Sequence, residues 1–247
     1  MDPYGRPQPK QTSPWLYIGV GCGVAVLLAL AGIVGFMFLV YRQGKQMAEG
    51  FKDPKVRESK TRQILPYESL PAGYYAGGAM SIPFLMDFAV LTDQEPKAGE
   101  QPDQGNYHER SFIFMNMRHF RDNREKMERF LRGQAPAPEN GAWNRGNVNF
   151  HTKEVIRRGE LKVGGQTVLY QASRGEIDHK GEKENGVVTM VLPECPDDRL
   201  RFGIWIGPAP QGSEGKPVAE TDYAGSPADP AAMQEFLGHF RLCGGKG

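Results

Sequence analysis

From Leu16 to Tyr41 the chain runs for 26 residues without a charged side chain, LYIGVGCGVAVLLALAGIVGFMFLVY. As a helix rising about 1.5 Å per residue this stretch would measure roughly 39 Å, against a bilayer hydrocarbon core of about 30 Å. Trp15 and Tyr17 at one end and Tyr41 at the other occupy interfacial positions, and Arg42 follows at once. A buried core helix would need protein on every side, and the remainder of the chain is small for that. A cleaved signal peptide would have an apolar stretch of about 7–15 residues and a small-residue cleavage site. This stretch is longer and runs into Tyr41-Arg42-Gln43. The expectation is an uncleaved single-pass transmembrane helix over residues 15–41, preceded by a polar tail at 1–14.

Within that segment Gly21, Ala25 and Ala29 recur every fourth residue, and Gly19 and Gly23 form a GxxxG pair. Small residues at this spacing let helix backbones approach and favour self-association in lipid. Orientation is read from two opposed signals. Arg6 and Lys10 precede the helix, whereas Arg42, Lys45, Lys52, Lys55, Arg57 and Lys60 follow it, which favours a cytoplasmic C-terminal side. Long domains translocate largely regardless of charge, and two cysteines beyond the anchor fit an oxidising compartment. The expectation is a cytoplasmic (inner) membrane protein with its domain outside.

Residues 42–65 are polar, without apolar periodicity, and read as a juxtamembrane stalk that continues the helix for a few turns at most. The soluble domain is expected over 66–247. Its sequence alternates strand-like runs with turn residues: Tyr74 to Met80, Phe84 to Leu91, Ser111 to Met117, Val187 to Leu192 and Leu200 to Ile206. Val155 to Val163 and Gln166 to Ser173 flank Gly164-Gly165, a pair suited to the positive φ angles of a tight hairpin. In the last strand, Leu200, Phe202, Ile204 and Ile206 share one face, as in a half-buried strand. Two helices are expected. One carries Phe120, Met127, Phe130 and Leu131 on one side, with Asp122 and Glu125 as a capping box and Gly133 as its stop. The other starts at Asp229-Pro230 and shows Met233, Phe236, Leu237 and Phe240 at helical spacing. The fold class is therefore α+β, a mainly antiparallel sheet with two flanking helices.

Chemistry is sparse. A net charge of +1 argues against nucleic acid, which calls for a basic face. There is no Walker A loop, GxGxxG, GxSxG, HExxH or CxxC, and no cofactor is implied. Of three cysteines, Cys22 lies in the apolar segment, leaving Cys195 and Cys243. A disulfide between them is the plainer use, with two free thiols and a zinc set of Cys195, His239 and Cys243 as the other readings. Trp143, Trp205, Tyr74 and Tyr75 read as core aromatics or as a pocket lining. His108, His119, His151 and His179 lack metal-like spacing.

The Pro-rich tail, the single anchor, Leu70-Pro71-Ala72-Gly73-Tyr74 opening the sheet and Asp229-Pro230…Phe236…Phe240 closing it together resemble single-pass membrane proteins of myxobacteria. The order of strands and helices is similar to that of Mog1/PsbP-like domains. That resemblance implies a compact antiparallel sheet with flanking helices, serving binding more than catalysis. The functional expectation is a membrane-anchored, non-catalytic binding or protein-interaction domain, with the bilayer and a protein or a second copy as partners. The rivals are an envelope hydrolase built around His151, His179 or His239, and an assembly protein that oligomerises through Gly21, Ala25 and Ala29.

Overall fold

The computed structural model describes residues 53–96, 109–118, 121–136, 148–179 and 182–244. The segment Leu16–Tyr41, with Gly21, Ala25 and Ala29, lies outside them. Among the described residues no helix is long and apolar enough to cross a membrane. By contact density the chain divides at Met47, and the second unit, Ala48–Gly247, holds everything described below.

Seven strands form one sheet: β1 (Tyr75–Ile82), β2 (Met86–Thr92), β3 (Ser111–Met117), β4 (Val148–Val163), β5 (Gln166–His179), β6 (Glu182–Pro193) and β7 (Leu200–Pro208). Their order is β1-β2-β3-β7-β6-β5-β4, and every neighbouring pair is antiparallel. Three helices accompany them, α1 (Pro54–Ile64), α2 (Arg121–Leu131) and α3 (Pro230–Gly238). After the β1–β2–β3 meander, the stretch containing α2 takes the chain to the far edge. A second meander, β4 to β7, then returns it to the side of β3. The α+β class expected from sequence is what forms, with an antiparallel sheet.

The Gly164-Gly165 turn has φ angles of +54° and +80°, and it sets the Val163↔Gln166 register of the long hairpin. Both strands of that hairpin outrun the apolar runs that mark them in the sequence, because their outer halves carry polar residues, exposed at His151 to Glu154 of β4 and half-buried at Arg174, Glu176 and Asp178 of β5. Gly133, with φ +73°, ends α2 as expected. Its N–H donates to the Phe130 carbonyl at 2.9 Å and that of Gln134 to the Arg129 carbonyl at 2.8 Å, the paired bonds of a Schellman stop. Asp122 is not the cap of α2; it lies inside the first turn, where its charge favours the positive end of the helix dipole. Asp229 does cap α3, accepting from the Ala231 N–H at 3.0 Å.

Two findings correct the sequence expectation. Among the described residues there are three helices rather than two, the third being α1, inside the stretch read as a stalk. Asp53 caps it and Pro54 opens it, but the residues that it buries are Arg57 and Thr61. The Arg57 guanidinium donates to the Pro96 carbonyl at 3.0 Å, and the Thr61 hydroxyl to the Arg57 carbonyl at 2.9 Å. A helix that buries polar residues by hydrogen bonding leaves no apolar stripe to read. The second correction concerns β7, which is buried on both faces rather than half-buried. Leu200, Phe202, Ile204 and Ile206 join Met127, Phe130 and Leu131 of α2 in one apolar cluster. The opposite face carries Trp205, which joins Phe112, Met233, Phe236 and Leu237 in the larger one. Gly203 fits between them because a Cβ there would come within 2.6 Å of the Phe112 ring.

At the end of the sheet near Leu200, the Arg201 side chain is 6% exposed and meets the Asp197 carboxylate through two bonds, at 2.5 and 2.7 Å. Those hydrogen bonds hold the Asp197 carboxyl below the usual carboxylate range, against a smaller opposing effect of burial. A group whose folded pKa is depressed stabilises the fold above its unfolded pKa, and that stability is lost as pH falls through the folded value. Asp197→Asn should therefore lower the urea midpoint at pH 7. The gap from wild type should begin to narrow as pH falls past the free Asp value of about 3.9 and vanish once pH is below the depressed folded value. A gap that persists unchanged into acid would show the effect is not ionic.

Candidate functional site

The sheet has one apolar face that continues past its cover. Residues directly opposite in antiparallel strands share a face, so the register assigns rows. Met80, Phe88 and Met115 form one row that continues into Phe202 of β7. Ile82, Met86 and Met117 form the next, continuing into Leu200, and Val90 and Ile113 form a third, continuing into Ile204. The β7 members of all three rows are buried, in the cluster that includes α2. The β1–β3 members are all half-buried. Helix α2 contacts β5 and β7, and α1, whose terminal Ile64 and the following Leu65 belong to the opposite cluster, contacts β1 and β2. Ile113, Met115 and Met117 pack against the margin of the α2 cluster, and Met80, Ile82, Met86, Phe88 and Val90 extend the rows beyond it.

No polar side chain interrupts the rows, whereas a sheet face turned to water alternates with polar residues. Four of the ten methionines in the chain stand here, at 80, 86, 115 and 117. Met is flexible and polarisable, and surfaces that must adapt to a partner use it heavily. Contiguous apolar area that stays partly accessible is a candidate interaction surface, and here it is half-buried rather than exposed. On the reverse side of the same strands sit Asp87 and Asn116, with the Arg118 guanidinium donating to the Asp87 carboxylate at 3.2 Å. The apolar rows end at the β1–β2 turn, where Phe84 is 83% exposed.

The residues singled out from sequence distribute as follows. Cys195 and Cys243 are joined in a disulfide with their Cα atoms 5.3 Å apart. With both sulfurs bonded to each other, the zinc set of Cys195, His239 and Cys243 does not form. Among the described residues no three His, Cys, Asp or Glu side chains gather as a metal site. His239 lies at an open crevice lined with Glu68, Ser69, Phe240 and Arg241. Its Nδ1 is 3.2 Å from the Ser69 carbonyl, and the Glu68 carboxylate beside it pairs with Arg241 at 3.1 Å. His151 is exposed on β4, beside a surface ladder in which Glu176 meets Lys183 at 2.8 Å and Lys153 at 3.7 Å. His108, His119 and Trp143, and the side chain of His179, lie outside the described residues.

Tyr74 and Trp205 belong to the core, where the indole Nε1–H donates to the Tyr74 hydroxyl at 2.7 Å. Burial pushes the Tyr74 hydroxyl above its ordinary range, opposed by the Trp205 hydrogen bond and by Arg110. The phenol therefore stays protonated at neutral pH and has a structural part. Tyr75, by contrast, is 40% exposed at the start of β1. Sequence reasoning missed the half-buried rows because their residues read as ordinary strand interior. Only the strand order, which carries the rows through β1–β3 past the centre of the α2 cluster, shows that they are incompletely covered by the described residues. No protein-family model matches the chain, and no curated protein matches it.

Proposed function

We propose that this is a membrane-anchored, non-catalytic binding domain, held by a transmembrane helix at 15–41, with the β1–β3 apolar face as its protein-binding surface. The Met-rich rows, only half-buried among the described residues, carry the reading. The Cys195–Cys243 disulfide supports an extracytoplasmic domain, since such bonds persist in oxidising compartments. The binding reading, rather than an envelope hydrolase, is supported by the His239 ring contacting the Ser69 carbonyl while the Glu68 carboxylate of the same crevice is paired with Arg241.

The test places a photo-crosslinking benzoylphenylalanine at Met115 or, as a control, at Lys162 on the charged edge strand β4, in the full-length protein in cells. Adducts of discrete mass are expected from position 115 and not from 162. Equal labelling at both, or none at either, removes the proposed surface. Alkaline extraction of the same membranes tests the anchor separately: the chain should stay with the lipid pellet.

A further inference from the structure

The β1–β2 hairpin closes with a turn that the sheet alone does not explain. The Leu85 N–H donates to the Ile82 carbonyl at 3.1 Å, so Ile82-Pro83-Phe84-Leu85 is a four-residue turn. Pro83 holds the second position, where its fixed φ is suited. Phe84 holds the third with φ +65°, a place ordinarily given to Gly or Asn in a type II turn. A bulky aromatic in the left-handed region is strained, and such strain concentrates where function needs it. Burial does not compensate, because the Phe84 ring is 83% exposed and Leu85 beside it 45%. Ile82 and Met86, half-buried, extend the apolar apex downwards, and Met117 stands opposite Met86.

We propose that the Pro83–Leu85 apex inserts into the interface of a lipid bilayer. The inference rests on the anchored reading given above. If Leu16–Tyr41 spans a membrane, only the eleven residues 42–52 separate it from the cap of α1, a reach of about 40 Å at most. A tether that short keeps the domain close to the lipid surface. Tethering also holds the apex at an effective concentration in the millimolar range, at which a contact of two apolar side chains matters. Phe and Leu at the tip of a rigid turn are the chemistry that suits the boundary between headgroups and acyl chains. Charge contributes little. Arg118, whose backbone N–H donates to the Leu85 carbonyl, has its guanidinium engaged by Asp87. Insertion should therefore be as strong in zwitterionic phosphatidylcholine as in phosphatidylglycerol mixtures.

The experiment uses the full chain in phosphatidylcholine nanodiscs, one copy per disc, with Cys22→Ser so that an introduced cysteine is the only free thiol. An environment-sensitive dye on Leu85→Cys should be blue-shifted and quenched by doxyl-labelled lipid, whereas dye on Lys162→Cys should not. Adding Phe84→Gly should cut the quenching at position 85 several-fold while leaving the melting temperature equal or higher, which separates insertion from folding. Chain that enters the discs with an unquenched, water-like dye at 85 overturns the inference and leaves the anchor standing. A blue shift without lipid quenching points to a protein pocket for the apex and overturns it too. Failure of the chain to enter the discs removes the anchor, and the inference falls with it.

Discussion

Replacing Phe236 with Ala should destabilise the domain by roughly 3–5 kcal/mol, the range for removing a buried aromatic from a packed core. Phe236 is 5% exposed and sits at the centre of an aromatic cluster on the inner face of α3. Its ring stacks on Trp205 with centroids 4.3 Å apart and planes 9° apart. Tyr74 is 4.9 Å away, Phe112 5.1 Å and Phe240 5.3 Å. Truncation would leave four rings facing a void that none can fill, since Phe112 is already pressed against Gly203 and Trp205 is held by its bond to Tyr74. Phe236→Leu keeps most of the volume and should cost clearly less. Urea unfolding of the full chain in mild detergent, followed by tryptophan emission, measures both. A loss below about 1 kcal/mol for the alanine variant would mean that α3 does not seal this face of the sheet.

The same cluster shows which parts of the fold could be read from the sequence. Met233, Phe236 and Leu237 lie at helical spacing behind an Asp-Pro start, and all three are buried in α3, because there the local signals and the tertiary environment agree. The Gly164-Gly165 hairpin was legible for a similar reason: two positive φ angles need two glycines, and nothing distant competes. Helix α1 was hidden because its buried contacts are made by Arg57 and Thr61, which a hydrophobic pattern counts as solvent-facing. The run Phe84 to Leu91 reads as one strand because Phe, Leu and Met all favour strands. The structure instead assigns Phe84 and Leu85 to the turn and begins β2 at Met86. The burial of β7 and the incomplete cover of the β1–β3 rows follow from strand order, which joins residues such as Met115 and Phe202 across more than eighty positions. No local pattern encodes that neighbour. The candidate site was thus invisible in the sequence for the same reason that makes it noticeable in the fold.

Removing the disulfide should have the second large effect. Cys195 lies between β6 and β7, and Cys243 follows α3, with a sequence separation of 48. In the loop-entropy model a cross-link of that span stabilises by about 4 kcal/mol. The bond also acts where both layers meet. The Arg124 guanidinium of α2 donates to the Cys195 carbonyl at 3.2 Å and the Asp197 carbonyl at 3.0 Å, so one short loop is tied to a helix on each face of the sheet. Releasing Cys243 frees the chain end after α3 and loosens its hold on the Phe236 cluster. The double variant Cys195→Ser/Cys243→Ser should melt roughly 8–16 °C lower, at about 2–4 °C per kcal/mol for a domain of this size. Added zinc should not restore the reduced wild-type protein, because His239 is directed to the Ser69 carbonyl rather than towards the sulfurs. Oxidised and reduced forms that melt within a degree or two of each other would show that α3 is held by the aromatic cluster alone. In that case the cysteine pair would no longer support placing the domain in an oxidising compartment.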